Sequence, residues 1–248
     1  MISILLVHGA WHGPWCWDNF IRYLTDRGHE VGAVRLRGHD RPPGRIWHRV
    51  PHYVEDVERA VASLSSPPVL VGHSLGGLIV QKYLESRPAR AAVLMATSPP
   101  RGSIGAVARL AVRHPGALLK ANLLLRLAPF VSSSKLVREM FFAPTTPQSI
   151  VDHCFAHVQD ESYLAFLDTM FVLPRPQRVR VPVLVLGAEC DSIFTTAEVQ
   201  ATASAYGAEA EIFPGMGHDM MLDEGWHEVA DRIDAWLPGS VRTGPNLA

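Results

Sequence analysis

Six short apolar runs punctuate the chain: ISILLV (2–7), EVGAVRL (30–36), PPVLVG (67–72), AAVLMA (91–96), PVLVLG (182–187) and AEIFPG (210–215). They are dense in Val, Ile, Leu and Ala, and short. That is the pattern of strands buried on both faces of a parallel sheet. Between most of these runs the apolar positions change period. Val50, Tyr53, Val54, Val57, Ala60, Val61 and Leu64 fall at i, i+3, i+4 and i+7, with Glu55, Asp56, Glu58 and Arg59 between them. The spacing predicts a helix over 50–64 with one apolar face. Trp17, Phe20, Ile21 and Leu24 line a second helix, which Gly28 closes by taking the left-handed conformation. Val229, Ile233 and Trp236 line another near the C-terminus. Strand and helix in alternation predict an α/β fold: a mostly parallel sheet of about six strands, helices on both faces, right-handed crossovers.

One stretch breaks the alternation. Residues 99–177 contain no convincing strand, and GAVARLAVRH, GALLKANLLLRLAPF, SKLVREMFF and SIVDHCFAHVQ read as short helices separated by Pro115, Pro129, Pro144 and Pro147. This is a helical insertion dividing a platform made of 1–98 and 178–248, and it is more basic than that platform. The tail GSVRTGPNLA is expected to fray.

Composition narrows the classes. Hydrophobic residues make up 48% and charged residues 19% of 248 positions, the balance of a globular chain long enough to bury a core without crosslinks. A net charge of -1 and a pI near 6.9, with no basic stripe interleaved with aromatics, exclude nucleic acid as the expected partner. Cys16, Cys154 and Cys190 are an odd set at irregular spacing, which argues against a disulfide framework and for a reducing, cytoplasmic setting. The opening run MISILLV has no basic leader and is too short for a membrane span, so it reads as a buried strand.

The chemistry concentrates in VGHSLGG (71–77), where an apolar run turns into a helical pattern around one hydroxyl. Gly72 and Gly76 stand two before and two after Ser74, the small residues that a sharp strand-to-helix turn needs to expose a nucleophile. An alcohol is a weak nucleophile at neutral pH, so Ser74 requires a base, a group to orient that base and donors for an oxyanion. His218, in IFPGMGHDMML after the last predicted strand, is the expected base. Asp191, following VPVLVLGAEC, is the expected orienting acid, with Glu189 as its nearest competitor. The order Ser, Asp, His fits this strand–turn–helix scaffold. The amide of Leu75, just after the nucleophile, and that of Ala10, in HGAWHG after the first strand, are the expected oxyanion donors. No cofactor or metal is expected. His153 and His157 have i, i+4 spacing but no third clustered ligand, and His8 and His12 read as residues that shape a turn.

LLVHGAWHGPWCW, GHSLGG, GAECDSIF and GMGHDMML in this order resemble the α/β-hydrolase superfamily over essentially the full length. HGAWHGPWCW is similar to the plant methyl esterase and hydroxynitrile lyase branch and its bacterial relatives. The resemblance implies Ser74 as nucleophile, His218 as base, Asp191 as its partner, Ala10 and Leu75 as oxyanion hole, and residues 99–177 as a cap. It implies a sheet of about six strands, lacking the N-terminal hairpin of larger members. Lyases of the branch carry Thr where Gly9 stands and Lys where Asp219 stands, so lyase chemistry is not expected; Ser74 also rules against the carboxylate-nucleophile hydrolases. The expected activity is hydrolysis of small to medium apolar or aromatic carboxylic esters through an acyl-enzyme. Arg101 and Arg109 suggest tolerance of a carboxylate or carrier-bound thioester. A thioesterase, a C–C bond hydrolase and a non-catalytic small-molecule sensor are the alternatives.

Overall fold

The computed structural model describes residues 1–39 and 47–240, and the apolar runs form strands as their composition dictates. These are β1 (Ser3–Val7), β2 (Glu30–Val34), β3 (Val69–His73), β4 (Ala91–Met95), β5 (Val183–Ala188) and β6 (Ala210–Phe213). They make one six-stranded sheet in the order β2-β1-β3-β4-β5-β6, every neighbouring pair parallel. The chain steps from β1 to β2 on one side and returns to place β3 on the other. The carboxyl ends of β1 and β3 therefore flank a topological switch point, the crevice where open α/β sheets bind ligands.

Ten α-helices accompany the sheet among the described residues. In chain order they are α1 (Asp18–Asp26), α2 (Val50–Ala62), α3 (Leu75–Leu84), α4 (Ile104–Arg113), α5 (Pro115–Leu124) and α6 (Ser134–Phe141), then α7 (Gln148–His157), α8 (Tyr163–Phe171), α9 (Thr196–Ala205) and α10 (Trp226–Ser240). Alternate strand residues feed opposite faces. Ile4, Leu6, Val69, Val71, Val93 and Leu186 pack against α1 and α10 through Phe20, Leu24, Val229 and Ile233. Leu5, Val7, Leu70, Leu94 and Val185 pack against α2, α3 and α9 through Tyr53, Val57, Leu78, Ile79 and Val199. Fully burying one such aliphatic side chain contributes about 1.5–3 kcal/mol, which is why the strands tolerate almost no polar residue. Gly28 follows α1 with φ of +85°, the left-handed stop expected of it.

The regular elements between β4 and β5 are all helices, with no strand among them, but their division differs from expectation. The run 116–130 is not one helix. Leu125 turns left-handed with φ of +50°, and a 3-10 turn over Ala128–Val131 follows. Asp160 explains the break: its Oδ1 accepts from the Leu127 and Ala128 amides at 2.9 and 2.7 Å, and its Oδ2 from Arg126 Nε at 2.6 Å. A buried carboxylate offering those bonds outcompetes one more helical turn. α8 was not anticipated, because YLAFLDTMF is apolar nearly all round. Asp168, buried on its inner side, accepts from the Val50 amide at 2.9 Å and pairs with Arg49, joining α8 to the start of α2.

A third apolar core ties this helical segment to the sheet's carboxyl edge. Leu110, Leu127, Phe130, Val137 and Phe141 pack with Trp11 from the loop after β1 and with Ile193 and Phe194 from the loop after β5. No helix among the described residues is long and apolar enough to cross a membrane. Residues 241–248, most of the tail expected to fray, lie outside the described residues; Gly239 and Ser240 continue α10.

Candidate active site

Ser74 sits between the last residue of β3 and the first of α3 with φ of +53° and ψ of −117°. A non-glycine residue held there stores about 1–3 kcal/mol of strain, which the surroundings must impose. They do so by crowding. A Cβ on Gly76 would lie 2.2 Å from the Val7 carbonyl oxygen and 2.5 Å from that of His8, and one on Gly72 would lie 2.6 Å from the Gly76 oxygen. Only glycine lets α3 begin directly over the end of β1. The Ser74 amide donates to the Met95 carbonyl at 3.1 Å, and its own carbonyl accepts from the Gly77 and Leu78 amides, starting the helix. Leu75, as the first helical residue, presents an amide with no intrahelical partner.

Asp191 and His218 meet. The loop after β5 carries Asp191, whose Oδ1 accepts from the amides of Ile193 and Phe194 at 2.7 and 3.0 Å. Its Oδ2 accepts from His218 Nδ1 at 2.8 Å, with both side chains buried. Burial disfavours the charged imidazole, but attraction to Asp191, the bond to it and the nearby Asp219 outweigh burial, so the pKa of His218 lies above its ordinary value. Glu189, the competitor, turns outward and accepts from the Gly215 amide at 2.8 Å. Thr195 caps α9, accepting from the Glu198 amide.

The loops bearing the acid and the base are both fastened to the end of α6. Ser192 Oγ donates to the Met140 carbonyl at 2.7 Å, the Asp219 amide donates to that of Phe141 at 2.9 Å, and a Cβ on Gly217 would lie 2.6 Å from Phe142 Cα.

Ser74, Leu75 and Ala10 border one small cavity with about 60 Å³ of free space. Its other walls include Trp11, Leu110, Leu127, Phe166, Ile193 and Phe194, with Ser98, Ser103, Thr169 and Glu161 as polar points. Phe194 lines this cavity and also contacts the base, its ring centroid 5.8 Å from that of His218. His73, the residue before Ser74, approaches the same ring at 4.8 Å and donates from Nε2 to the His218 carbonyl at 2.9 Å. Burial first, then repulsion from His218, pushes its pKa down to about 3, so it is neutral. No hydrogen bond joins the Ser74 hydroxyl to a described residue; what connects Ser74 to His218 is the His73 bridge and the shared rim.

Arg101 and Arg109 do not wall this cavity. Arg109 is spent on Glu198 and, at 2.6 Å, on the Ile193 carbonyl, whereas Arg101 is exposed beside a separate groove. The charged group at the wall is Glu161, which the sequence did not single out. Its carboxylate accepts from Tyr53 Oη at 2.8 Å, the Ser162 amide at 2.6 Å and His39 Nε2 at 3.0 Å. An acid within QDES carries no pattern that distinguishes it from a solvated loop residue. Of the apolar residues in the helical segment, Phe166 faces the cavity, while Phe130 belongs to the third core and Leu123 and Phe171 are exposed.

A second buried carboxylate, Asp219, follows the base directly. Its Oδ2 lies 2.9 Å from His12 Nε2 and 3.8 Å from Cys154 Sγ, and its Oδ1 lies 3.9 Å from His73 Nε2. Two triplets of potential metal ligands among the described residues, His12–Cys154–Asp219 and His73–His218–Asp219, share it. Of their ligand atoms, His12 Nε2 is engaged by Asp219 and His73 Nε2 by the His218 carbonyl, whereas His73 Nδ1 and Asp219 Oδ1 have no hydrogen-bond partner among the described residues. His153 and His157 lie with ring centroids 4.4 Å apart, tilted by 37°, and belong to neither triplet.

A parallel sheet with its switch point at β1 and β3, a glycine-framed serine there and a histidine–aspartate pair on the same edge define a class. The chain belongs to the alpha/beta hydrolase family, whose model matches residues 4–232. Within that family it is similar to Esterase PIR7B of Oryza sativa subsp. japonica, 36% identical over 103 residues, and to Methyl jasmonate esterase 1 of Vitis vinifera, 34% identical over 98 residues. Those matches take in 39% and 38% of this chain and span 38% of each relative, less than half its length. Among solved structures, an esterase of Thermogutta terrifontis superposes with a TM-score of 0.75 at 17% identity, covering 97% of this chain and 90% of that one.

Proposed function

We propose that the protein is a serine-dependent carboxylic ester hydrolase acting on small to medium apolar or aromatic esters through an acyl-enzyme. The observation that carries this reading is the 2.8 Å bond from His218 Nδ1 to Asp191 on the same rim as the strained Ser74. With Nδ1 protonated and held by Asp191, Nε2 is the basic nitrogen. Ser74 adds to the ester carbonyl as that nitrogen takes its proton, and the amides of Ala10 and Leu75 receive the oxyanion. His218 then protonates the departing alkoxide, and water repeats the sequence to release the acid. One oxyanion donor is worth about 3–4 kcal/mol in comparable sites, the largest single contribution to such a reaction. Residues 99–177 serve as the cap, with 1–98 and 178–248 as the catalytic core. The esterase names of the relatives agree with this reading.

The cavity qualifies the substrate. Its apolar walls and small free space favour a short acyl group, and its wall carries Glu161 and neither Lys nor Arg to receive an anionic one. Turnover of p-nitrophenyl esters tests both points. Acetyl and butyryl esters are expected to be hydrolysed faster than long-chain ones, and Ser74→Ala is expected to abolish the activity and the labelling of the fragment containing residue 74 by a serine-directed phosphonate. Turnover that persists in Ser74→Ala refutes the mechanism, and a folded protein with no turnover of any ester points instead to a sensor.

A further inference from the structure

We propose that His12 and Asp219 form a buried imidazolium–carboxylate strut that positions the oxyanion loop against the base. The inference rests on the reading of Ala10 as oxyanion donor and His218 as base. His12 has two ring nitrogens and each faces a group that only accepts: Nδ1 lies 2.7 Å from the Ala10 carbonyl oxygen, and Nε2 lies 2.9 Å from Asp219 Oδ2. A neutral imidazole carries one N–H and can serve only one of them; the doubly protonated ring serves both. The pair is sealed, with His12 1% and Asp219 0% exposed.

The neighbours fit a cation at this place. Trp15 stacks on the His12 ring with centroids 5.3 Å apart, within cation–π reach, and the Phe141 ring packs beside it at a steep angle with centroids 5.2 Å apart. The other titratable groups that act on the pair are Cys154, 3.9 Å from His12 Nε2, Cys16, whose thiol burial also holds well above its ordinary value, His8, which burial keeps neutral, His73 and His218. Burial raises the Cys154 thiol well above its ordinary value, so it brings no second negative charge. His73 is neutral, and Asp219 is held below the usual carboxylate range: burial works against its charge, but attraction and the bond to His12, with help from His218, prevail.

The strut has a mechanical sense. One end grips the carbonyl of Ala10. The other end is the residue peptide-bonded to His218. A displacement of about 1 Å between an oxyanion donor and the reacting carbonyl costs about 100-fold in rate, so a rigid link between these two loops acts on catalysis without touching substrate. His12 and Asp219 are positioning residues in this sense.

The test is made on the full chain. Nitrogen-15 NMR of the histidine side chains in the wild type is expected to show both nitrogens of His12 protonated at neutral pH. In Asp219→Asn, one of them is expected to lose its proton. With p-nitrophenyl acetate, His12→Ala is expected to lower kcat by about 30- to 100-fold with KM nearly unchanged, and His12→Gln, which can donate to only one of the two acceptors, to recover part of the loss. A bare nitrogen on His12 in the neutral wild type, with the shared proton on Asp219, overturns the strut, as does a folded His12→Ala that keeps kcat within about threefold. Because the NMR result does not depend on turnover, an active Ser74→Ala would refute the hydrolase mechanism without being mistaken for failure of the strut.

Discussion

Replacing Asp191 by Asn alters one atom of the side chain, and the surroundings decide which way the new amide faces. Oδ1 accepts from the amides of Ile193 and Phe194 at 2.7 and 3.0 Å, so the Asn oxygen stays there and its NH2 turns to His218 Nδ1. A donor at that position requires Nδ1 to be bare and moves the ring proton to Nε2, the nitrogen that has to receive the proton of Ser74. The reverse orientation restores the tautomer but sets NH2 against two backbone N–H groups, leaving buried donors unsatisfied at about 1–3 kcal/mol each. Both routes are costly. On the proposed mechanism kcat falls by about 10⁴-fold, equivalent to about 5.4 kcal/mol of barrier.

The same substitution moves the pH profile. In the wild type burial disfavours the charged imidazole, but Asp191 and Asp219 together raise His218 above 6.5, so activity grows as pH rises through that raised value and the acid limb of kcat/KM lies above 6.5. Without the Asp191 charge, burial is less opposed and the residual activity loses its acid limb at a lower pH. Measuring kcat/KM for a p-nitrophenyl ester from about pH 5 to 9 in both proteins reads both effects. A loss smaller than about tenfold in Asp191→Asn, or an acid limb that does not move, refutes the reasoning.

Two further substitutions probe the frame and the wall. Gly76→Ala places a methyl 2.2 Å from the Val7 carbonyl oxygen, an atom of β1 that cannot yield, and is expected to destabilise the fold by more than about 4 kcal/mol. Gly116→Ala, in α5 with open space around it, is expected to stabilise by about 0.5–1 kcal/mol; urea unfolding of both variants checks the contrast. Glu161→Gln removes the acidic member of the buried Glu161–His39 pair at the cavity wall and is expected to raise kcat/KM for a hemisuccinate ester about 3- to 10-fold relative to a neutral ester of similar size. An unchanged ratio in a folded Glu161→Gln protein removes Glu161 from the account of specificity.

The sheet was readable because burial on both faces leaves no freedom. Val69, Leu70 and Val71 must all be apolar, and their run announces the strand without help from neighbours. α2 was readable for the opposite reason, since Val50, Tyr53, Val54 and Val57 face inward while Glu55 and Glu58 do not. α8 lacks that contrast, and the end of α5 is decided by Asp160, 36 residues further on, so no local pattern marks either. Ser74, Asp191 and His218 were nameable because each follows a strand end that the topology brings to one edge; the structure joins the last two directly. Asp219 appeared in the sequence only as a departure from a lyase pattern, and its partner His12 as a turn residue, because nothing along the chain announces that positions 207 residues apart will share a proton. Glu161 was invisible for the same reason, its partners lying at positions 39 and 53.

The fastening of α6 bears on which parts of the site can vary separately. Since its final turn is bonded to the strands' loops on both sides of the histidine–aspartate contact, an outward movement of that turn would break the Ser192–Met140 and Asp219–Phe141 bonds beside it. The cavity walls that α4 and α8 contribute through Ala106, Val107 and Phe166 lie outside that bonded turn, so substitutions there are expected to reshape the cavity while the loops of Asp191 and His218 stay put.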